Sequence, residues 1–240
     1  MKRAQNLSLS VFFFGVEKKI MKRIISIEGN IGSGKTTLFQ RLRERSSLRD
    51  CRNLVFVEEP VGLWESIRDP ETGESLLQRF YRDPERYAFA FQTMAFFSRL
   101  ALVTKALAES PADSIVLTER SLLTDRDVFA KMLHDGKKID DVSHQIYLHN
   151  SDNFMAGVSP DKIIYIKTDP AVCLERIAGR QRPGEGQIDL EYLTMCDGYH
   201  EKMMAPVADS TLTVDGNSDL DIEDLELFIL RSLPGASHAI

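Results

Sequence analysis

Cysteine is scarce in this 240-residue sequence: Cys51, Cys173 and Cys196 are odd in number, widely spread and form no CxxC pair. That pattern excludes a disulfide framework and a cysteine-rich zinc site, and it fits a reducing compartment, the cytoplasm. The five histidines show no metal-ligand spacing, since His144 and His149 lie five apart and diverge on a helix. Positive charge is in deficit too. With 30 Lys and Arg against 36 Asp and Glu, the formal net charge is −6. Such a balance favours solubility and lacks the broad basic surface that a nucleic-acid partner requires. No apolar run nears the roughly 18 residues of a membrane span, so no membrane partner is expected. The nearest, Leu9 to Val16, follows Lys2 and Arg3 like a transit peptide, but no small-residue cleavage site comes after it and Glu17, Lys18 and Lys19 end it. Residues 1–20 are therefore expected to be a dispensable extension, with a mitochondrial address as the weaker alternative, and Met21 could begin the protein equally well.

What is present is enough apolar material, 43% of the chain, for one buried domain over residues 21–240. From Lys22 onward short apolar runs alternate with longer helical stretches, the rhythm of a parallel sheet covered on both faces. Strands are predicted at Ile24 to Glu28, Leu54 to Glu58, Ser114 to Thr118, Lys162 to Lys167 and Thr211 to Val214. Helices are predicted at Lys35 to Ser46, Ser75 to Tyr81, Pro84 to Glu109, Leu122 to His134, Asp140 to Ala156, Pro170 to Gly179, Asp189 to Ala208 and Asp221 to Leu233. Pro84 and Pro170 suit first-turn positions, with Asp83 and Asp169 before them as caps. The fold class is α/β, a five-stranded parallel sheet flanked by helices, and the helix from Pro84 is expected to line the cleft.

The sharpest motif is Gly29, Asn30, Ile31, Gly32, Ser33, Gly34, Lys35 and Thr36, which matches GxxxxGK[ST] between a predicted strand and a predicted helix. Glycines let the backbone curl so that its N–H groups converge on phosphate oxygens, and the helix presents its positive end to the same charge. Lys35 is expected on the β- and γ-phosphates of ATP and the Thr36 hydroxyl on Mg²⁺, with Thr37 beside them. The loop does not say who receives the phosphate. At the end of the second strand Glu58-Glu59-Pro60-Val61-Gly62-Leu63-Trp64 sets carboxylates at the edge of the sheet where α/β ligands bind. Taken alone, that acid pair could equally cap a helix or sit on the surface.

Further along come Tyr81, Phe91-Gln92-Thr93, Ser98-Arg99, Thr118-Glu119-Arg120-Ser121 and Asp125-Arg126. In this order and register the sequence resembles the deoxycytidine/deoxyguanosine kinase family of deoxynucleoside kinases, from about Arg23 to Leu233. The resemblance implies a P-loop kinase fold with an Arg-rich lid, a homodimer, and transfer of the ATP γ-phosphate to the 5′-hydroxyl of a deoxynucleoside. It makes Glu59 the general base, Arg120 the cation beside it and Glu119 a partner of Thr36 around Mg²⁺. It assigns Tyr81 and Glu185 to the 3′-hydroxyl, Gln92 to the base edge, and Phe91 and Phe129 to the faces of the base, with Trp64 in the same pocket. Arg176, Arg180 and Arg182 fall in the lid and would bind ATP phosphates, a task that suits the planar guanidinium. Pro183-Gly184-Glu185-Gly186 departs from the more acidic stretch many relatives carry there. Arg99 with Asp125 implies a pocket for deoxycytidine and purine deoxynucleosides rather than thymidine.

Three other readings meet specific objections. A thymidylate-type or other small-molecule P-loop kinase would want basic residues where Glu58 and Glu59 stand. A GTP-driven switch would need DxxG and NKxD motifs, and neither occurs. A non-catalytic subunit on this fold would have no cause to keep Lys35, Thr36, Glu59, Arg120 and Arg180 together.

Overall fold

The computed structural model describes residues 23–180, 182 and 184–233. The expectation for residues 1–20 lies outside them. Five strands, β1 (Arg23–Gly29), β2 (Leu54–Val57), β3 (Ile115–Glu119), β4 (Lys162–Lys167) and β5 (Thr211–Asp215), form one sheet in the order β2-β3-β1-β4-β5. Every pairing is parallel, with Ile25 opposite Leu117 and Ile27 opposite Ile164. Strands β1 and β3 are buried almost throughout, which is why both read as continuous apolar runs rather than as alternation.

The helices are α1 (Lys35–Glu44), α2 (Ser46–Arg49), α3 (Val61–Ser66), α4 (Leu76–Arg82), α5 (Pro84–Glu109), α6 (Lys131–Asp135), α7 (Asp141–Phe154), α8 (Pro170–Arg180), α9 (Leu190–Met204) and α10 (Ile222–Ser232). Side chains of β1 divide between the two faces of the sheet. Ile25 and Ile27 join Leu38, Phe39 and Leu42 of α1 and Leu225 and Ile229 of α10, whereas Ile24 meets Val103 of α5 on the other face. The chain leaves β1 toward β2 and leaves β3 toward β4, so the crevice between these neighbouring strand ends is the switch point where α/β sheets bind ligands.

Several boundaries differ from the pattern-based expectation. The predicted helix from Lys35 to Ser46 breaks at Arg45, whose extended backbone carries its guanidinium to Glu226 of α10. The stretch from Leu122 to His134 is a π-helical segment, Thr124–Ala130, followed by α6. The helix from Asp189 stops at Met204, and a 3₁₀ segment with Pro206 in its first turn follows, because proline brings no N–H to continue the ladder. Strand β2 ends at Val57, so Glu58 and Glu59 lie in the turn before α3, a helix the pattern did not suggest. The 26-residue α5 runs from Pro84 to Glu109 as expected, with the Asp83 side chain accepting from the Arg86 N–H.

Candidate active site

The turn between β1 and α1 is braced from three sides. Gly32 sits at φ 79, and a Cβ there would fall 2.5 Å from the Cys173 carbonyl oxygen of α8, so no larger residue fits. Asn30 accepts from the Ile31 N–H at 2.8 Å and donates to the Leu193 carbonyl of α9 at 2.9 Å. Thr168, after β4, donates to the Ser33 carbonyl at 3.2 Å. Inside this frame Lys35 donates from Nζ to the Asn30 carbonyl at 2.6 Å. Burial, then the charge of Arg120, pushes the Lys35 ammonium down to about 7. Thr36 Oγ1 donates to Glu119 Oε1 at 2.5 Å, which joins the start of α1 to the end of β3.

A cleft whose space, with its solvent-open mouth included, is about 690 Å³ opens from this turn toward α5. Its middle is a chain of charges. Arg99 of α5, 2% exposed, donates from Nη2 to Glu59 at 2.9 Å, from Nε to Asp125 at 2.8 Å and from Nη1 to the Glu119 carbonyl at 2.8 Å. Arg120 directs its Nε to within 3.4 Å of the same Glu59 oxygen and donates from Nη1 to the Gly29 carbonyl at 2.8 Å. Burial favours a protonated Glu59, but Arg99, Arg120 and Lys35 outweigh it and hold this carboxyl below the usual carboxylate range. For Asp125 the balance reverses, and burial pushes its carboxyl up despite Arg99. Two carboxylates sharing one guanidinium are thus driven in opposite directions.

Around the charges stand rings. Trp64 donates its indole N–H to Ser98 at 2.9 Å and meets Phe91 edge-on at 5.4 Å, while Phe91 stacks on Phe80 at 4.7 Å. Gln92 is buried, and among the described residues its Oε1 has no hydrogen-bond partner. Phe129 faces Arg120, whose guanidinium carbon lies 5.0 Å from the ring centre. Burial, then the nearby carboxylates Glu185 and Glu59, pushes the Tyr81 phenol up, so it stays a hydrogen-bond donor. The segment after α8 borders this end of the cleft. Arg180 grips Glu185 bidentately at 2.6 and 2.7 Å, and Arg182 approaches it at 3.5 Å. Gly184 makes the approach possible at φ 92, where a Cβ would fall 3.2 Å from Gln78 Cα of α4.

Most residues expected from the sequence meet here: Ile31, Gly32, Lys35, Thr36, Glu59, Trp64, Tyr81, Phe91, Gln92, Arg99, Glu119, Arg120, Asp125, Phe129, Arg180, Arg182 and Glu185 all line the cleft. Others stand apart from its wall. Thr37 is exposed on α1, and Arg176 lies behind the phosphate turn, its guanidinium on the carbonyls of Ser33 (3.3 Å) and Gly216 (2.9 Å). Gly29, Asn30, Ser33 and Gly34 shape the turn without lining the cleft. Tyr192, Phe80, Val61, Leu77 and Ala95 also line it and were not anticipated. The Asp189 cap offered a signal for Tyr192, because it fixes the phase of α9 and sets Tyr192, Cys196 and His200 on one helical face.

The family model described as "Deoxynucleoside kinase" matches residues 25–228. A fowlpox virus protein named "Probable deoxycytidine kinase" is 35% identical, the match covering 75% of this chain and 71% of that protein. "Deoxycytidine kinase 2" of Gallus gallus is 34% identical over 83% of this chain and 78% of its own length. The Xenopus laevis "Deoxyguanosine kinase, mitochondrial" is 30% identical over 78% and 75%. With a GxxxxGK[ST] turn, a guanidinium-linked carboxylate pair and Arg180 and Arg182 around one cleft, and a family match spanning nearly all the described residues, the chain belongs to the deoxynucleoside kinase family.

Proposed function

We propose that this ATP-dependent deoxynucleoside kinase phosphorylates the 5′-hydroxyl of deoxycytidine, deoxyadenosine and deoxyguanosine, with thymidine a poor substrate. The observation that carries the choice is the buried Asp125 held by Arg99 in the cleft that also contains Glu59. Asp125 can accept from the exocyclic amino group of cytosine or adenine, and Arg99 can donate to O6 of guanine. Thymine would set O4 against a carboxylate. A mismatch of that kind costs about 1–3 kcal/mol, or roughly ten- to hundredfold in discrimination. The unpartnered Gln92 Oε1 suits the base edge, since an amide offers both a donor and an acceptor.

Transfer then depends on alignment and charge. Glu59, ionised at neutral pH, orients the 5′-hydroxyl and takes its proton late, as the bond to phosphorus forms. Lys35 and the lid arginines Arg180 and Arg182 hold phosphate oxygens, and Arg120 balances charge beside Glu59. Thr36 and Glu119 present hard oxygens within hydrogen-bond reach of each other, a donor set that fits Mg²⁺. Bound there with the phosphates, Mg²⁺ would neutralise charge on the β- and γ-oxygens. Tyr81 and Glu185 are assigned to the 3′-hydroxyl.

Phe97, Ile146 and Phe154 expose apolar side chains on α5 and α7, with Phe97 and Phe154 ring to ring at 5.8 Å. We assign this face to a homodimer, which light scattering at micromolar concentration would refute by finding a monomer. Three unpaired cysteines support a cytoplasmic address. No helix among the described residues is long and apolar enough to cross a membrane. Residues 21–240 act as one kinase domain in this reading, so a chain starting at Met21 should keep full activity. The deciding experiment is a panel of the four natural deoxynucleosides with ATP. Equal efficiency on thymidine and deoxycytidine would overturn the assignment of the pocket.

A further inference from the structure

His200 of α9 is wholly buried and takes no part in the scheme above. Its Nδ1 lies 2.8 Å from the Cys196 carbonyl oxygen, which can only accept, so Nδ1 carries the proton. Burial, then the charge of Arg120, pushes the imidazole down to about 3, and the ring is neutral at working pH. That tautomer leaves a lone pair on Nε2, which faces Arg120 Nη1 at 3.4 Å. Two aromatic rings flank the imidazole. Phe129 meets it edge-on at 6.2 Å and Tyr165 lies nearly parallel to it at 6.3 Å. Arg120 itself sits at φ 64, a left-handed conformation that a residue with a side chain seldom adopts, so its geometry needs support from its surroundings.

We propose that His200 is a positioning residue for phosphoryl transfer: its Nε2 accepts from Arg120 and, with the Gly29 carbonyl, fixes the guanidinium beside Glu59. Arg120 Nη1 has two acceptors behind it, Gly29 O at 2.8 Å and His200 Nε2, while Nε points the other way toward Glu59. A buried imidazole anchored through Nδ1 offers Arg120 an acceptor without a competing negative charge, so the guanidinium keeps its full charge for the cleft. The inference rests on Arg120 acting at the reacting groups, which Arg120→Ala tests by itself.

The test compares two substitutions. In His200→Asn the amide nitrogen can still reach the Cys196 carbonyl, but no atom reaches Arg120. In His200→Gln the amide oxygen lies near the position of Nε2. Thermal unfolding is measured for each, and both are assayed with deoxycytidine and ATP well below the lower Tm, so that every protein compared is folded. His200→Asn is expected to lower kcat by about ten- to hundredfold, the scale of a misplaced catalytic group, with KM for deoxycytidine changed by less than about threefold. His200→Gln should recover most of that loss. In an Arg120→Ala background, His200→Asn should add nothing, because the effect passes through Arg120. The proposal is overturned if His200→Asn keeps normal kcat, if His200→Gln is equally impaired, or if the two losses multiply. If Arg120→Ala alone retains normal turnover, the role of Arg120 fails and the proposal fails with it.

Discussion

The turn proposed to hold phosphate and the pocket proposed for the nucleoside share one cleft but are held in place by different means. Hydrogen bonds between side chains and backbone carbonyls hold the turn: the Asn30 amide donates to Leu193, Thr168 and Arg176 donate to Ser33, and Gly32 packs against the Cys173 carbonyl. The pocket is held by side-chain charge, with Arg99 joining Glu59, Asp125 and the Glu119 carbonyl from four separate stretches of chain. A glycine-bent turn takes its shape from one contiguous motif and tolerates little change of residue volume at Gly32. A charge-linked site is assembled from a distance and can be retuned by changing one side chain, at the risk of leaving a buried partner unpaired.

Substitutions that strike one side only would sharpen this contrast. The largest effect is expected from Glu59→Gln, which keeps the shape of the pocket and removes the proton acceptor, lowering kcat by about two to four orders of magnitude. Steady-state rates with deoxycytidine check it, and near-normal turnover would remove Glu59 from the chemistry. Asp125→Ala leaves Arg99 buried with one carboxylate fewer and should cost about 3–5 kcal/mol of stability, read from denaturant unfolding. Replacing both partners, Arg99→Met with Asp125→Ala, should recover much of that stability and raise thymidine turnover relative to deoxycytidine. Gly32→Ala attacks the turn, and strain at φ 79 together with the Cys173 carbonyl should cost about 1–3 kcal/mol and weaken ATP binding. Unchanged ATP affinity would mean that the turn relaxes more easily than its contacts imply.

The smallest expected effect is a pH dependence from Lys35. Its folded value of about 7 lies below the ordinary lysine value of 10.5, so the free enzyme loses this proton as pH rises through 7. Phosphate binding requires the ammonium, so kcat/KM for ATP should fall by up to about tenfold per pH unit above 7. In the complex the phosphates hold the proton in place, and kcat should stay flat over the same range. For stability the sign is opposite: between pH 7 and 10.5 the unfolded chain binds more protons at this residue, so its contribution to stability rises with pH. A kcat/KM profile level from pH 7 to 9 would contradict this reading.

The two regions also differ in how far the sequence reveals them. The turn was legible because GxxxxGK[ST] has a local cause, and the strands that frame it were legible because burial on both faces leaves continuous apolar runs. Glu59, Arg99 and Asp125 were legible only through their order along the chain. That one guanidinium serves both acids is a fact of tertiary structure, since residues 40 and 26 positions away from Arg99 carry no mark of sharing it. The π-helical stretch Thr124–Ala130 was read as α-helix for a similar reason. Its apolar positions suit either winding, and the choice of carbonyl for each N–H is made by neighbours rather than by composition. His200 escaped notice because an isolated histidine in a helical pattern says nothing about the tautomer it adopts once buried.

Trp64 is the single tryptophan of the chain, and it is buried in the wall of the cleft, edge-on to Phe91 and hydrogen-bonded to Ser98. Light absorbed near 295 nm therefore enters the molecule at one known place. Emission from that indole reports the polarity and quenching of this pocket alone, so the nucleoside binding proposed here can be followed by fluorescence on the unlabelled protein, with no second indole to subtract.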